Sequence, residues 1–349
     1  MRGKREGVEM VSIIIAFAVF SSGFLYASSQ PPGFKANKDE KPLYIGLDPW
    51  IGFAPFAVAE KKGFFKDEGV NVRIVMFPAK KIEYYYSFEK GKTDFYGGDA
   101  GDQALMTAAG TPCTIVIENA WDQKSDKLIV KENLKDLSEL KGKKLAAEKT
   151  SYSDFYFMVK TLEKHGVTLD DVEVIDMSGP ETAIAFIRGK VDAILTYDPY
   201  AVIAVEEGGG KAIPLYEEMG DNDLIGIAVH NKLLEEKPEE VLKVLRGYFK
   251  ALKWCEQKEN EEELYSIVNE VLFQNTQTRE ELEHSRSACK WLTPEEIKRD
   301  MKDGGPLFKQ CGEILNFYYE QGMITSKPEP ESFINNELYL EVMEAYYEG

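Results

Sequence analysis

A chain of 349 residues with 44% hydrophobic side chains is long enough for two lobes of ordinary domain size. Its formal charge of −18 at pH 7 gives a surface that repels phosphate backbones, which excludes nucleic acid as a partner class. Three histidines without metal spacing, and no phosphate-cradling, dinucleotide-binding or nucleophile-elbow motif, argue against a resident metal, a cofactor or a catalytic constellation.

At the amino terminus Arg2, Lys4 and Arg5 precede an apolar run from Met10 to Tyr26. Ala27-Ser28-Ser29 then offers the small residues of a cleavage site before Gln30. Residues 1–29 are expected to be an export signal, or a membrane anchor if uncleaved, since the run is long enough to span. Residues 30–41, with Pro31, Pro32 and Gly33, read as a flexible leader. Cys113 reads as a small buried hydrophobe. Export would permit a disulfide among Cys255, Cys289 and Cys311, and its pairing stays open.

The stretch that follows is the most informative. Residues 43–47 form a short apolar run that predicts a buried strand. Asp48, Trp50, Gly52 and Phe53 then make a loop, Pro55 sits where a helix begins, and Gly63 is placed to end it. Further strands are predicted at 70–77, 95–97, 114–118 and 128–131, with helices near 55–62, 82–90 and 100–109. This alternation predicts an α/β lobe with a largely parallel sheet. A second alternating block runs through strands at 144–147, 172–176 and 191–195 and helices at 151–165 and 180–188.

The two blocks repeat each other. Gly91-Lys92-Thr93-Asp94-Phe95 and Gly189-Lys190-Val191-Asp192-Ala193 each end a helix and open a strand. Glu60-Lys61-Lys62-Gly63 and Glu163-Lys164-His165-Gly166 do the same one unit earlier in each block. Gly208-Gly209-Gly210 breaks a helix, residues 224–230 read as a returning strand, and everything beyond Pro238 reads as helices.

Residues at the carboxyl ends of parallel strands line ligand clefts in such folds. In the first block these are Asp48, Trp50, Phe53, Lys80, Gly98, Asp99, Asn119 and Trp121. In the second they are Ser151, Tyr152, Ser178, Tyr197, Asp198 and Tyr200. Asp102 and Asp154 belong to the same class, although a helix cap would also account for them.

The motifs that carry a family likeness run in order along this region. They include Ile45-Gly46-Leu47-Asp48-Pro49-Trp50, Ala59-Glu60-Lys61-Lys62-Gly63-Phe64-Phe65, Ala108-Ala109-Gly110-Thr111-Pro112 and Tyr197-Asp198-Pro199-Tyr200. On them the chain resembles the extracytoplasmic substrate-binding proteins of ABC importers, in the branch that handles nitrate, sulfonates, taurine and thiamine-pyrimidine precursors. The resemblance implies a type II periplasmic-binding-protein fold with two α/β lobes, a hinge crossed twice, and carboxy-terminal helices packed on lobe 1. It implies lobe 1 at 42–131 and 223–349, lobe 2 at 132–222, and crossings near Lys131 to Leu134 and Gly220 to Asp223. It further implies a periplasmic monomer that closes on a small-molecule ligand and delivers it to a transmembrane permease with a cytoplasmic ATPase, with no enzymatic activity.

The residues themselves bear on the ligand. Several carboxylates beside Trp50, Phe53, Trp121, Tyr152 and Tyr197 suit an amine or a nitrogen heterocycle through charge pairing, cation–π contact and stacking. The alternatives are a sulfonate, taurine or nitrate ligand held by hydroxyls and Lys80, a pyrimidine-synthesising enzyme of the same fold, and an anchored sensor domain.

Overall fold

In the computed structural model of the protein, which describes residues 41–77 and 81–347, β1 (Leu43–Leu47) is the organising strand. Its inner residues Ile45 and Leu47 are fully buried. It pairs in parallel with β2 (Val72–Met76) on one side and with β3 (Phe95–Asp99) on the other. β4 (Cys113–Asp122) completes the first run of strands. The chain then crosses through Gln123, Lys124 and Ser125 into a second group: β5 (Asp126–Lys131), β6 (Lys144–Ala147), β7 (Glu173–Asp176), β8 (Ala193–Tyr197) and β9 (Gly210–Pro214). It returns after the short helix Leu215–Met219 as β10 (Asp223–His230), and a last strand, β11 (Cys289–Trp291), joins the first sheet.

The first sheet has the order β11-β4-β10-β3-β1-β2 and the second β7-β6-β8-β5-β9. Each holds three parallel strands around a central one, β2-β1-β3 and β7-β6-β8, which is the repeat expected from the sequence. Each sheet is mixed, however, and not largely parallel. β10 enters the first sheet antiparallel to β3 and β4, and β5 enters the second antiparallel to β8 and β9. The reason is connectivity, because the strand beside each parallel trio arrives from the other lobe and runs the opposite way. The same pairing moves the first crossing. β5 belongs to the second sheet, so the chain changes lobe between Asp122 and Asp126, ahead of the expected position near Lys131. β9 and β11 were not expected as strands; β9 follows the glycine break at Gly209, whose φ of 60° lies in the left-handed region.

The two-lobed fold with a twice-crossed hinge is thus the observed one, and the carboxy-terminal helices lie against the first lobe. Helix Pro238–Cys255 packs on Ala54–Lys62 and Phe64–Asp67, and helix Pro306–Glu320 on Ala100–Ala108. The close approach depends on Gly247. A Cβ there would sit 2.5 Å from the ring of Phe65, which is itself 1% exposed. All four cysteines are buried and free, so the later three form no disulfide. Among the described residues no helix is long and apolar enough to cross a membrane, and the expected signal segment lies outside them.

Replacing Phe65 by Ala should cost about 3–5 kcal/mol in urea unfolding, because a fully buried aromatic ring is lost beneath a helix that cannot collapse onto it. A loss below about 1 kcal/mol would mean that the carboxy-terminal helices are not anchored there.

Candidate functional site

The loop after β1 turns tightly, with the Trp50 N–H donating to the Asp48 carbonyl at 2.9 Å. Gly52 is required by what covers it, since a Cβ at that position would lie 1.6 Å from the Trp50 ring. The indole Nε1–H donates to Ser125 Oγ at 3.1 Å, and the ring meets Phe53 edge-on with centroids 5.4 Å apart. Trp50 is therefore held against the first chain crossing with its remaining face toward the cleft.

Lys81 opens the helix Lys81–Glu89. Its ammonium donates to Asp99 and to Asp102 Oδ2 (3.2 Å) and lies 4.0 Å from Asp154 Oδ2. Asp99 stands at the N-cap position of helix Ala100–Ala108, yet its side chain makes no cap; it binds the lysine instead. Asp102 is fully buried and also accepts from Tyr85 OH (2.6 Å) and from the Ser153 backbone N–H (3.0 Å) across the cleft. The Lys81 backbone N–H donates to Glu148 Oε1 of the second lobe at 3.1 Å. Burial works against the charge on Lys81, but Asp102, Asp99 and Asp154 outweigh it and hold the ammonium well above the usual lysine range.

The carboxyls respond in the opposite sense. Burial pushes Asp48 up to about 6, opposed by Lys81 and reinforced by Asp99. Burial takes Asp154 to about 7, again opposed by Lys81, while Ser151 Oγ donates to it. Asp48 as a residue is partly exposed, but its Oδ1 is buried and has no hydrogen-bond partner among the described residues. Two adjoining cavities of about 490 Å³ each, counting the space open to solvent, share Asp48, Lys81, Asp126, Asp154 and Tyr197 in their walls. One adds Phe77, Tyr84, Glu148, Ser151 and Thr196; the other adds Trp50, Phe53, Gly98, Asp99, Asp122 and Ser125. Among the described residues, Lys81 is the one cationic side chain in these walls, facing six carboxyl groups.

Of the residues expected at the site, Asp48, Trp50, Phe53, Gly98, Asp99, Ser151 and Tyr197 line these cavities. Lys80 lies outside the described residues. The others line neither cavity. Trp121 alternates with Asp122 along β4 and so faces away, its Nε1–H on Glu118 (2.8 Å) and Lys290 and Arg299 over its ring. Asn119 is buried behind the Trp50 loop, beneath the Gly52 carbonyl. Tyr152 packs between Tyr85 and Tyr318. Ser178 closes a capping box with Glu181, and its neighbour Gly179 reaches the cavity in its place. Asp198 turns to Lys127 (2.5 Å) and His284 (3.1 Å), and Tyr200 props Tyr197 edge-on. Sequence reasoning missed Lys81, Asp122, Asp126 and Glu148. The signal for Asp122 and Asp126 was a pair of aspartates at the two ends of a chain crossing.

The cleft can be set beside known proteins. A family model described as NMT1/THI5 like matches residues 50–262. A protein of Bacillus subtilis (strain 168), named as an aliphatic sulfonates-binding protein, is 27% identical over 268 residues, covering 74% of this chain and 77% of its own. The crystal structure of the periplasmic aliphatic sulphonate binding protein SsuA from Escherichia coli superposes with a TM-score of 0.68 at 18% identity, over 86% of this chain and 100% of that one. The periplasmic nitrate-binding protein NrtA from Synechocystis PCC 6803 does so with a TM-score of 0.68 at 14% identity, over 89% and 90%. At these identities the two structural likenesses are likenesses of fold.

Asp48 supplies a pH test of the site. Its folded value, near 6, lies above the 3.8 of a free aspartate, so the folded state holds its proton more tightly than the unfolded one. That stabilisation is present below about pH 4 and is lost as pH rises through about 6. Without ligand, the wild type should lose on the order of 2 kcal/mol relative to Asp48→Asn between about pH 4 and about pH 7.5. Parallel urea-unfolding stabilities for the two proteins across that range would contradict the placement of Asp48.

Proposed function

The chain belongs to the NMT1/THI5-like family, and from that premise we propose that it is the extracytoplasmic solute-binding component of an ABC uptake system. Its ligand is a small amine-bearing or nitrogen-heterocyclic cation held between the two lobes. One observation carries the choice of cation. Among the described residues Asp48 Oδ1 is buried without a hydrogen-bond partner, and the lysine of the cleft, Lys81, is already held by Asp99 and Asp102. A ligand N–H at Asp48 would satisfy that oxygen. The faces of Trp50, Phe53 and Tyr197 would receive a flat or cationic group. An anion in the same place would meet ionised carboxylates, at a cost of roughly 3 kcal/mol for each one roughly 6 Å away.

The proposal gives each part a task. Asp48 pairs with the ligand nitrogen, the aromatic residues enclose it, and Lys81 keeps Asp99 and Asp102 tied. Closure of the lobes buries the ligand, and reopening at a permease releases it. The export signal expected at residues 1–29 fits an extracytoplasmic site of action.

A sulfonate ligand is the second reading, favoured by the relatives that bind sulfonates. Lys81, shared with Asp99 and Asp102, and the hydroxyl of Tyr197 are donors in the same wall. It would require protonated carboxyls around the anion, so its binding would weaken as pH rises.

Thermal-shift measurements with aliphatic amines, aminopyrimidines, alkylsulfonates and nitrate separate the two. Aliphatic amines should raise the melting temperature at about pH 8, where Asp48 is ionised and the amine still protonated, and aminopyrimidines should do so nearer pH 6, where their ring nitrogen takes up a proton. Stabilisation by sulfonate or nitrate alone would overturn the cation. Trp50→Ala should abolish the shift and leave the melting temperature of the unliganded protein nearly unchanged, whereas a large drop in the unliganded protein would make Trp50 a packing residue.

A further inference from the structure

Both chain crossings converge on one buried hydroxyl. Tyr216, in the helix that precedes the second crossing, places its OH 3.0 Å from Asp126 Oδ2, 3.1 Å from Asp154 Oδ1 and 3.4 Å from Asp223 Oδ2. Asp126 is the first residue after the first crossing, and Asp223 is the first strand residue after the second. Asp154 lies in the first turn of helix Tyr152–Lys164 and lines the ligand cleft together with Asp126. All four residues are buried.

A phenol has one hydrogen to donate and can accept through its oxygen. It can therefore donate to only one of three carboxyls. Each of the other two contacts is a hydrogen bond only if the carboxyl carries the proton. Fully ionised, the three would repel one another, by about 4 kcal/mol for a pair about 4 Å apart at an effective dielectric of about 20. Among the described residues, the neighbouring groups do not supply enough positive charge to offset this. Asp122 accepts from the backbone N–H groups of Lys124 and Ser125 and its carboxyl also meets that of Asp126, so it joins the same shared-proton group, while Asp223 Oδ1 accepts from Ser153 Oγ (2.8 Å). Asp48, Asp99 and Asp102 add negative charge from the first lobe. Lys81, at 4.0 Å from Asp154, is shared with Asp99 and Asp102. Lys124, on the crossing itself, is half-exposed and pairs with Glu217.

We propose that Asp126, Asp154 and Asp223, gathered on the Tyr216 hydroxyl, form a proton-holding switch in the hinge: with shared protons in place the lobes stay together, and loss of the protons opens the cleft. Asp126, Asp154 and Tyr216 belong to the second lobe and Asp223 to the first, so separation of the lobes hydrates the group and relieves its repulsion. Burial, reinforced by the neighbouring aspartates, already holds Asp126 and Asp223 well above the ordinary carboxylate range. The closed form is thus favoured at low pH and the open form at high pH. The switch stands on the hinge geometry and goes beyond the choice of ligand.

Small-angle scattering of the purified protein after exhaustive dialysis, from about pH 5 to about pH 9, tests it without any ligand. The radius of gyration of the wild type should increase with pH. Asp126→Asn keeps a hydrogen-bond donor that cannot ionise, and should move the midpoint up by about one pH unit or remove the transition. Asp223→Asn gives the same readout should circular dichroism show that the first variant is unfolded. A wild-type radius that stays constant across the range, or the same midpoint in a folded variant, would overturn the switch and leave the amine proposal standing.

Discussion

The ammonium of Lys81 is the positive charge around which the cleft is arranged. It stands at the first residue of a helix, where the backbone dipole disfavours a cation, and it is buried, which disfavours any charge. It persists because Asp99 and Asp102 hold it and Asp154 lies close by. That arrangement explains why Asp99 forgoes its own helix cap and why Asp102 can be fully buried. A buried charge that loses its partner typically costs about 3–5 kcal/mol, so these groups are mutually dependent. Asp48 is left outside the arrangement, near enough to feel it and, among the described residues, without a partner for one oxygen. The proposed preference for a cationic ligand rests on that asymmetry.

The fold places these groups by repetition. Each lobe lays three parallel strands side by side and adds a strand that has crossed from the other lobe. Strand ends from both lobes therefore meet at one place, and the two crossings lie directly behind it. Ligand cleft and hinge share residues as a result: Asp126 and Asp154 line the cavity and also bind Tyr216. On the proposals above, occupation of the cleft and movement of the lobes would act on the same carboxyls.

Much of this was legible in the amino-acid sequence. The helix-ending glycines at Gly63, Gly91, Gly166 and Gly189 marked both repeats, and all four have positive φ. Asp48, Trp50 and Phe53, expected at a strand end, line the cavity wall, where a strand end followed by Pro55 leaves little freedom. Other features depended on details that no local pattern carries. A strand's side chains alternate, so Trp121 could be assigned to the cleft only by ignoring Asp122 beside it. Lys81 went unread because it lies at a helix start whose phase the sequence does not specify. β5 looked like a continuation of the first lobe because its apolar run says nothing about direction, and only the pairing with β8 and β9 moves it. The buried aspartates at the crossings were hidden because isolated carboxylates in a sequence read as surface turns.

The most direct measurement is native mass spectrometry of the protein purified without refolding, with the retained small molecule released and its composition determined. A cleft organised around one committed lysine and an unpartnered aspartate predicts a nitrogenous base, protonated at neutral pH. A retained sulfonate, nitrate or other simple anion lacking a basic nitrogen would contradict it.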